Sequence, residues 1–164
     1  MQPQKTIRTK LSENDFISAS LVSLRSNGRI KIIGVIFVAV CLFNLFNGSR
    51  KSGNVLVTIL PLTIIVGLYA ILYYFGLKKA YRRNSRLGET KNYTFHKDHV
   101  MIDAESYNMR LDWNKVKRVI KRGQWLFIYE NEFLAHPIPR RDITDDELQQ
   151  LRNTLTGSGL KIDF

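Results

Sequence analysis

The chain has 164 residues, a formal net charge of +11 and a single cysteine, Cys41. Such a basic composition first suggests a nucleic-acid partner. The excess charge, however, lies entirely in residues 1–91, which hold 14 Lys or Arg and three acidic residues, whereas residues 92–164 are neutral overall. One cysteine excludes a disulfide within the chain and a metal site built on several cysteines.

The N-terminal segment, residues 1–29, predicts a short strand followed by an amphipathic helix. Polar and less polar residues alternate over residues 6–11, which is typical of a strand. Ser12 and Asp15 then have the spacing of a helix capping box. The helix that follows should end near Asn27 and Gly28. It lies either in the membrane interface or against a cytoplasmic domain, and its sequence favours neither.

Two apolar runs in residues 30–77 predict a transmembrane hairpin, with spans at about 30–47 and 55–77. No charged residue falls between Ile32 and Ser49 or between Ser52 and Leu77. As helices these stretches reach roughly 27 and 39 Å, against a hydrocarbon core of about 30 Å. Two buried helices of a soluble protein would normally show a polar stripe, which the second run lacks. Pro61 either kinks the second helix or marks its first turn.

Positive charges flank the two spans and predict their orientation. The connecting loop holds only two basic residues, Arg50 and Lys51. The positive-inside rule therefore predicts that both termini are cytoplasmic and that residues 78–91 form a basic, membrane-proximal extension. We expect no nucleic-acid partner, and we expect membrane lipids to contact the flanking basic side chains. These are Arg25, Arg29, Lys31, Lys78, Lys79, Arg82, Arg83 and Arg86.

Residues 92–164 predict about six short strands and one C-terminal helix. Residues 115–121 fit a helical turn as well as a strand. Thr144 and Glu147 form a capping box before the helix, which should end by Gly157. The predicted fold class is therefore an α+β membrane protein, with a two-helix hairpin followed by a small pleckstrin-homology-like domain. That domain would be a bent antiparallel sheet with one terminal helix.

The order of these parts resembles the YcxB-like family of bacterial membrane proteins. The resemblance implies a small integral protein of the bacterial inner (plasma) membrane with a pleckstrin-homology-like cytoplasmic domain, and it implies no activity. Besides the two apolar runs and their basic exit, it rests on five short stretches, which are Leu11 to Phe16, Tyr93 to Phe95, Leu111 to Val116, Trp125 to Tyr129 and Ile138 to Arg141.

No motif for catalysis, cofactor binding or metal binding is present in the sequence. There is no phosphate-binding loop and no G-x-S-x-G nucleophile motif. His96 and His99 are three residues apart, but in a strand–turn–strand context we expect them to face opposite sides. The charge-free runs, from Ile32 to Ser49 and from Ser52 to Leu77, contain no Asp, Glu, Lys, Arg or His for a proton relay. We therefore expect a protein that is not an enzyme, with no catalytic, cofactor-binding or metal-binding residues.

One dense basic run in the C-terminal domain is a candidate partner surface, or else the solvated face of a strand. It consists of Lys115, Lys117, Arg118, Lys121 and Arg122. On the first interpretation, the protein is a membrane-anchored binding module for a protein or lipid partner on the cytoplasmic side. The alternative is a small subunit of a membrane complex, such as a transporter or sensor, that packs through its transmembrane hairpin.

The N-terminal strand should pair with the sheet of the C-terminal domain. Both ends of a hairpin return to the same side, so residues 6–11 share one compartment with residues 92–140. A lone strand leaves its backbone polar groups unsatisfied, and a small sheet offers open edges. We therefore expect residues 6–11 to add to an edge of that sheet.

Overall fold

In a computed structural model, the chain is described over residues 6–26, 34–43, 55–132, 134–156 and 160–163. Within these residues it forms two compact units. The sheet unit contains the described residues up to Ala19 and those from Tyr81 onwards. The helical unit is Ser20–Ala80.

Four helices and eight strands follow one another along the described part of the chain. The helices are α1 (Glu13–Ser26), α2 (Gly34–Phe43), α3 (Val55–Arg83) and α4 (Asp145–Thr156). The strands are β1 (Thr6–Lys10), β2 (Thr90–Phe95), β3 (His99–Ala104), β4 (Asn108–Asp112), β5 (Arg118–Arg122), β6 (Trp125–Tyr129), β7 (Ala135–Pro139) and β8 (Lys161–Asp163).

The strands form two four-stranded sheets. The first has the order β1-β2-β3-β4 and is antiparallel throughout. The second has the order β7-β6-β5-β8, in which only β8 runs parallel to its neighbour. Strand β1 pairs with β2 over five residues, from Thr6 opposite Thr94 to Lys10 opposite Thr90. The prediction that the N-terminal strand joins the sheet is confirmed, and the sheet unit extends beyond the predicted domain of residues 92–164.

A single core takes side chains from both sheets and from α4. Ile7 of β1 lies in it with Val100 and Ile102 of β3, Leu126 of β6 and Leu155 of α4. Strand β6 is buried over its whole length, because its alternating side chains are covered on both faces. The structure therefore confirms an α+β unit of antiparallel sheets with a C-terminal helix.

Both predicted capping boxes are present. The Ser12 hydroxyl accepts a hydrogen bond from the Asp15 amide at 3.1 Å, and the Asp15 carboxylate accepts one from the Ser12 amide at 3.0 Å. Thr144 and Glu147 make the same reciprocal pair at the start of α4. Ile17 is only 6% exposed, so the first turns of α1 pack within the sheet unit.

Among the residues described, one helix is long and apolar enough to cross a membrane. It is the 24-residue stretch Leu60–Arg83 of α3, whose apolar window is not buried. The predicted first span is described only as α2, a shorter apolar helix, and the loop at residues 47–54 lies outside the described residues. Helix α3 begins at Val55, so Pro61 lies inside it.

The structure adds three details after the apolar runs. Helix α3 ends at Arg83, within the predicted extension of residues 78–91, and a 3-10 turn capped by the Asn84 side chain follows it. The ambiguous residues 115–121 divide into the end of a 3-10 turn and the start of β5. Strand β8 was not predicted, since three residues are too few to show a period of two.

Candidate partner surface

Strand β5 carries the basic run that the sequence singles out. Val119, fully buried, points into the core shared by the two sheets, so Arg118 and Ile120 lie on the opposite face of β5. On that face Ile120 pairs with Phe127 of β6, and both are buried. Of the basic side chains on β5, Arg118 and Lys121 are therefore half-buried, and Arg122 at the end of the strand is exposed.

Three of the five basic residues form exposed ion pairs within the domain. Lys117 Nζ lies 2.8 Å from Glu132 Oε1, and both side chains are about half exposed. Arg122 Nη2 lies 2.5 Å from Asp163 Oδ2, and Lys115 Nζ lies 3.9 Å from Asp112 Oδ2. Exposed pairs of this kind contribute about 1 kcal/mol or less, so an acidic partner can replace them at little cost.

Arg118 differs from the other four because an aromatic ring holds it. Its guanidinium carbon lies 4.3 Å from the centroid of the Tyr129 ring, the geometry of a cation–π contact. Its Nε is buried and has no hydrogen-bond partner among the described residues. The fifth residue, Lys121, is half-buried on β5. The structure thus brings the five residues of the run to one strand and the turn before it.

The basic residues predicted to contact lipid are spread over both units. Arg25 lies in α1, and Arg29 and Lys31 lie outside the described residues. Arg82 pairs with Glu13 at 2.9 Å, and the Arg86 guanidinium lies 5.9 Å from the centre of the Tyr107 ring. Their contact with lipid stays a prediction, as it does for Lys78, Lys79 and Arg83, which also lie in α3.

A three-residue turn, Arg140–Asp142, contacts three other elements of the sheet unit, α4, α1 and β1, and was missed from the sequence. Arg140 contacts the Asp145 carboxylate at the start of α4. Arg141 donates two hydrogen bonds to Asp15 of α1, at 3.0 and 2.6 Å. Asp142 accepts a hydrogen bond from the Thr9 hydroxyl of β1 at 2.5 Å. The Arg141 guanidinium beside Asp15 lowers the pKa of that carboxyl to about 2.

Two basic side chains, Lys91 and His136, lie largely buried in the sheet unit. Lys91 of β2 is 8% exposed and accompanies Tyr93 on the inward face of its strand. Burial lowers the pKa of the Lys91 ammonium, although the nearby Glu89 carboxylate raises it. Burial also lowers the pKa of His136, and the positive charge of Lys91 lowers it further. Glu130 Oε2 lies 3.7 Å from His136 Nε2, too far for a hydrogen bond.

The expectation that His96 and His99 face opposite sides is wrong. Their rings stack with centroids 4.2 Å apart, because the turn between β2 and β3 brings both to one side. His99 Nδ1 also lies 2.8 Å from Asp98 Oδ1. Among the described residues, no group of three or more His, Cys, Asp or Glu is arranged to hold a metal ion.

The fold and this site define a small α+β domain of two sheets with a terminal helix, in a chain that also carries one helix long enough to span a membrane. Residues 95–155 match the family described as YcxB-like protein. The resemblance inferred from the sequence is therefore confirmed over this range, from the end of β2 to the last turn of α4. Comparisons with curated proteins and with solved structures find no match.

Proposed function

We propose that the protein is a bacterial inner-membrane protein with two spans, and that its sheet unit is a cytoplasmic, pleckstrin-homology-like binding module for a protein partner. The pairing of Lys10 with Thr90 supports two spans. Neighbouring strands of one sheet lie in one compartment, so the chain between them must cross a membrane an even number of times. Leu60–Arg83 accounts for one crossing, and the apolar run that includes α2 is the candidate for the second.

The charges beside the spans support a cytoplasmic position for the sheet unit. Eight basic residues lie on the sheet-unit side of the two apolar runs, and two lie in the loop between them. Because basic residues near spans are retained in the cytoplasm, both termini are assigned there. The apolar face of the Leu60–Arg83 segment then meets lipid, and the basic residues at its end meet anionic headgroups.

Cysteine labelling tests this topology directly. In a Cys41→Ser background, Ser52→Cys places a thiol in the loop, and Ser158→Cys places one near the C-terminus. We expect a membrane-impermeant maleimide to label the loop cysteine in intact cells and the C-terminal cysteine only after lysis. Labelling of the C-terminal cysteine in intact cells would contradict the proposal.

The binding role is supported by the basic run around β5. Lys115, Lys117 and Arg122 are held by exposed carboxylates that a partner's acidic side chains can replace. Arg118, Lys121 and Arg122 of this run lie on β5, whose inward side is fixed by the core, so this part of the surface is preorganised. A preorganised surface spends less binding free energy on ordering its side chains.

Photo-crosslinking in native membranes tests the binding role against the alternative of a complex subunit. A photoreactive amino acid replaces Lys115 in one variant, Asn108 on the exposed edge strand β4 in a matched control, and Leu72 on α3 in a third. We expect a protein adduct from position 115 and none from position 108. Adducts from position 72 alone would instead favour packing through the transmembrane helices.

A further inference from the structure

The outer edge of β5 is covered by strand β8 of the same chain. Strand β8 runs parallel to β5 over three residues, with Ile162 opposite Val119 and Asp163 opposite Ile120. Every other strand pair among the described residues is antiparallel and extends over five residues. The final strand is therefore the shortest addition to either sheet.

Among the described residues, β8 is held by its three-residue pairing with β5 and by packing against the core and α4. Ile162 and Leu160 are partly buried and pack against the core. Asp163 of β8 forms an ion pair with Arg122. Both side chains are about half exposed, so water screens this ion pair strongly.

Release of β8 would uncover a site suited to an extended peptide. The backbone amides and carbonyls along that edge of β5 would lose their partners, and the buried Val119 would lose the side chain opposite it. Extended segments bind such edges by adding a strand, with main-chain hydrogen bonds for affinity and side-chain contacts for specificity. Lys121 and Arg122 lie at the end of β5 beyond the basic turn, which favours an acidic segment.

We propose that the C-terminal strand occupies a peptide-binding groove between β5 and α4, and that a partner segment of similar chemistry replaces it. The partner segment is extended, has an apolar residue where Ile162 lies opposite Val119, and has an acidic residue where Asp163 meets Arg122. This inference rests on the proposed binding role and names its site and its ligand chemistry. The tail thereby limits binding until a partner of sufficient concentration displaces it.

A peptide exchange experiment on the full chain in detergent tests the groove. Residues 157–159 are replaced by a protease site, so the chain folds with its tail and is cut afterwards. The probe is a fluorescent peptide of residues 157–164. We expect the cut chain, after removal of the released tail, to bind the probe at least about tenfold more tightly than the uncut chain, because a tethered tail competes at about millimolar effective concentration.

Matched peptides separate strand addition from charge attraction. The Ile162→Asp peptide should lose measurable binding, since it puts a charge against the core. The Asp163→Lys peptide should bind about two- to fivefold more weakly, as expected for one exposed ion pair. Absence of probe binding by a cut chain that keeps its circular dichroism would overturn the inference, as would equal binding of the probe and the Ile162→Asp peptide.

The two proposals fail in different ways. A Lys115 crosslink in native membranes, together with no probe binding to the cut chain, would overturn the groove and leave the binding module in place. Probe binding without any crosslink at that position would support the groove and count against a protein partner at the basic run. An Ile162→Asp substitution in the full chain gives a second check, because it should increase probe binding without cleavage.

Discussion

A fragment of residues 92–164 should fail to fold, whereas a chain in which a short Gly/Ser linker replaces residues 20–80 should fold without detergent. The fragment lacks β1, whose Ile7 is 3% exposed in the core, and Leu11, which is 4% exposed. Truncating one such side chain costs about 2–5 kcal/mol. Losing both, with the backbone pairing of β1, approaches the whole stability of a typical domain, about 5–15 kcal/mol.

The linked variant is feasible because the residues on either side of the deletion contact each other in the folded sheet unit. The Phe16 and Tyr81 rings lie 5.8 Å apart, and the Tyr81 hydroxyl donates a hydrogen bond to the Leu11 carbonyl at 2.7 Å. Arg82 and Glu13 form an ion pair at 2.9 Å beside them. A linker of about ten residues reaches roughly 30 Å when extended, so it joins Ala19 to Tyr81 without strain.

Urea unfolding followed by tryptophan fluorescence measures the difference. The only two tryptophans, Trp113 and Trp125, are both buried in the sheet unit. We expect a cooperative transition for the linked variant and none for the fragment. An Ile7→Asp substitution in the linked variant should reproduce the behaviour of the fragment. A cooperative transition of the fragment at the same midpoint would show that β1 is dispensable.

Sequence reasoning placed the N-terminal strand in the sheet but did not find individual side-chain contacts between distant residues. The alternation in residues 6–11 and the return of both hairpin ends to one side were enough to place β1 in the sheet. The partners of the turn Arg140–Asp142 lie far away in sequence: Asp15 is 126 residues from Arg141, and Thr9 is 133 residues from Asp142. No local pattern pairs such charges.

Two further features show the limits of a period of two. His96 and His99 stack because the period holds along one strand and not across the turn between strands. The burial of Lys91 was not predicted from the sequence, although the period of two along β2 places it on the same face as the buried Tyr93. The basic run around β5 was found from the sequence, but the cation–π contact between Arg118 and Tyr129 was not.

Lys91→Met should stabilise the sheet unit by about 1–3 kcal/mol at pH 7.5. The Lys91 side chain is buried, and its pKa is lowered by that burial, so holding it charged costs free energy in the folded state. Methionine has an unbranched side chain of nearly the same length as lysine, but it carries no charge. Thermal unfolding of the full chain in detergent, followed by tryptophan fluorescence, measures the change. A matched Lys97→Met substitution, in the turn between β2 and β3, should have little effect.

Lys91 and the nearby His136 together predict how the free energy of unfolding changes with pH. Because the pKa of His136 is lowered in the folded state, the unfolded chain binds more protons below about pH 6.5. The free energy of unfolding should therefore fall as the pH is lowered from 7.5 to 5.5. Asp15 is an acid whose pKa is lowered in the folded state, to about 2. Its ionised form therefore stabilises the fold above the usual pKa of 3.8, and this stabilisation is lost only as the pH falls below that value. It therefore does not contribute in this window.

Substitution of either buried side chain should make stability less dependent on pH between 7.5 and 5.5. His136→Leu removes the titrating group, which faces the core beside Ile128 in register on β6. Lys91→Met leaves His136 in place but removes the positive charge that lowers its pKa, so the fall should be smaller than in the unsubstituted chain. An unchanged slope in both variants would assign the pH dependence to other groups. A slope lost in His136→Leu and reduced in Lys91→Met identifies the buried pair as its source.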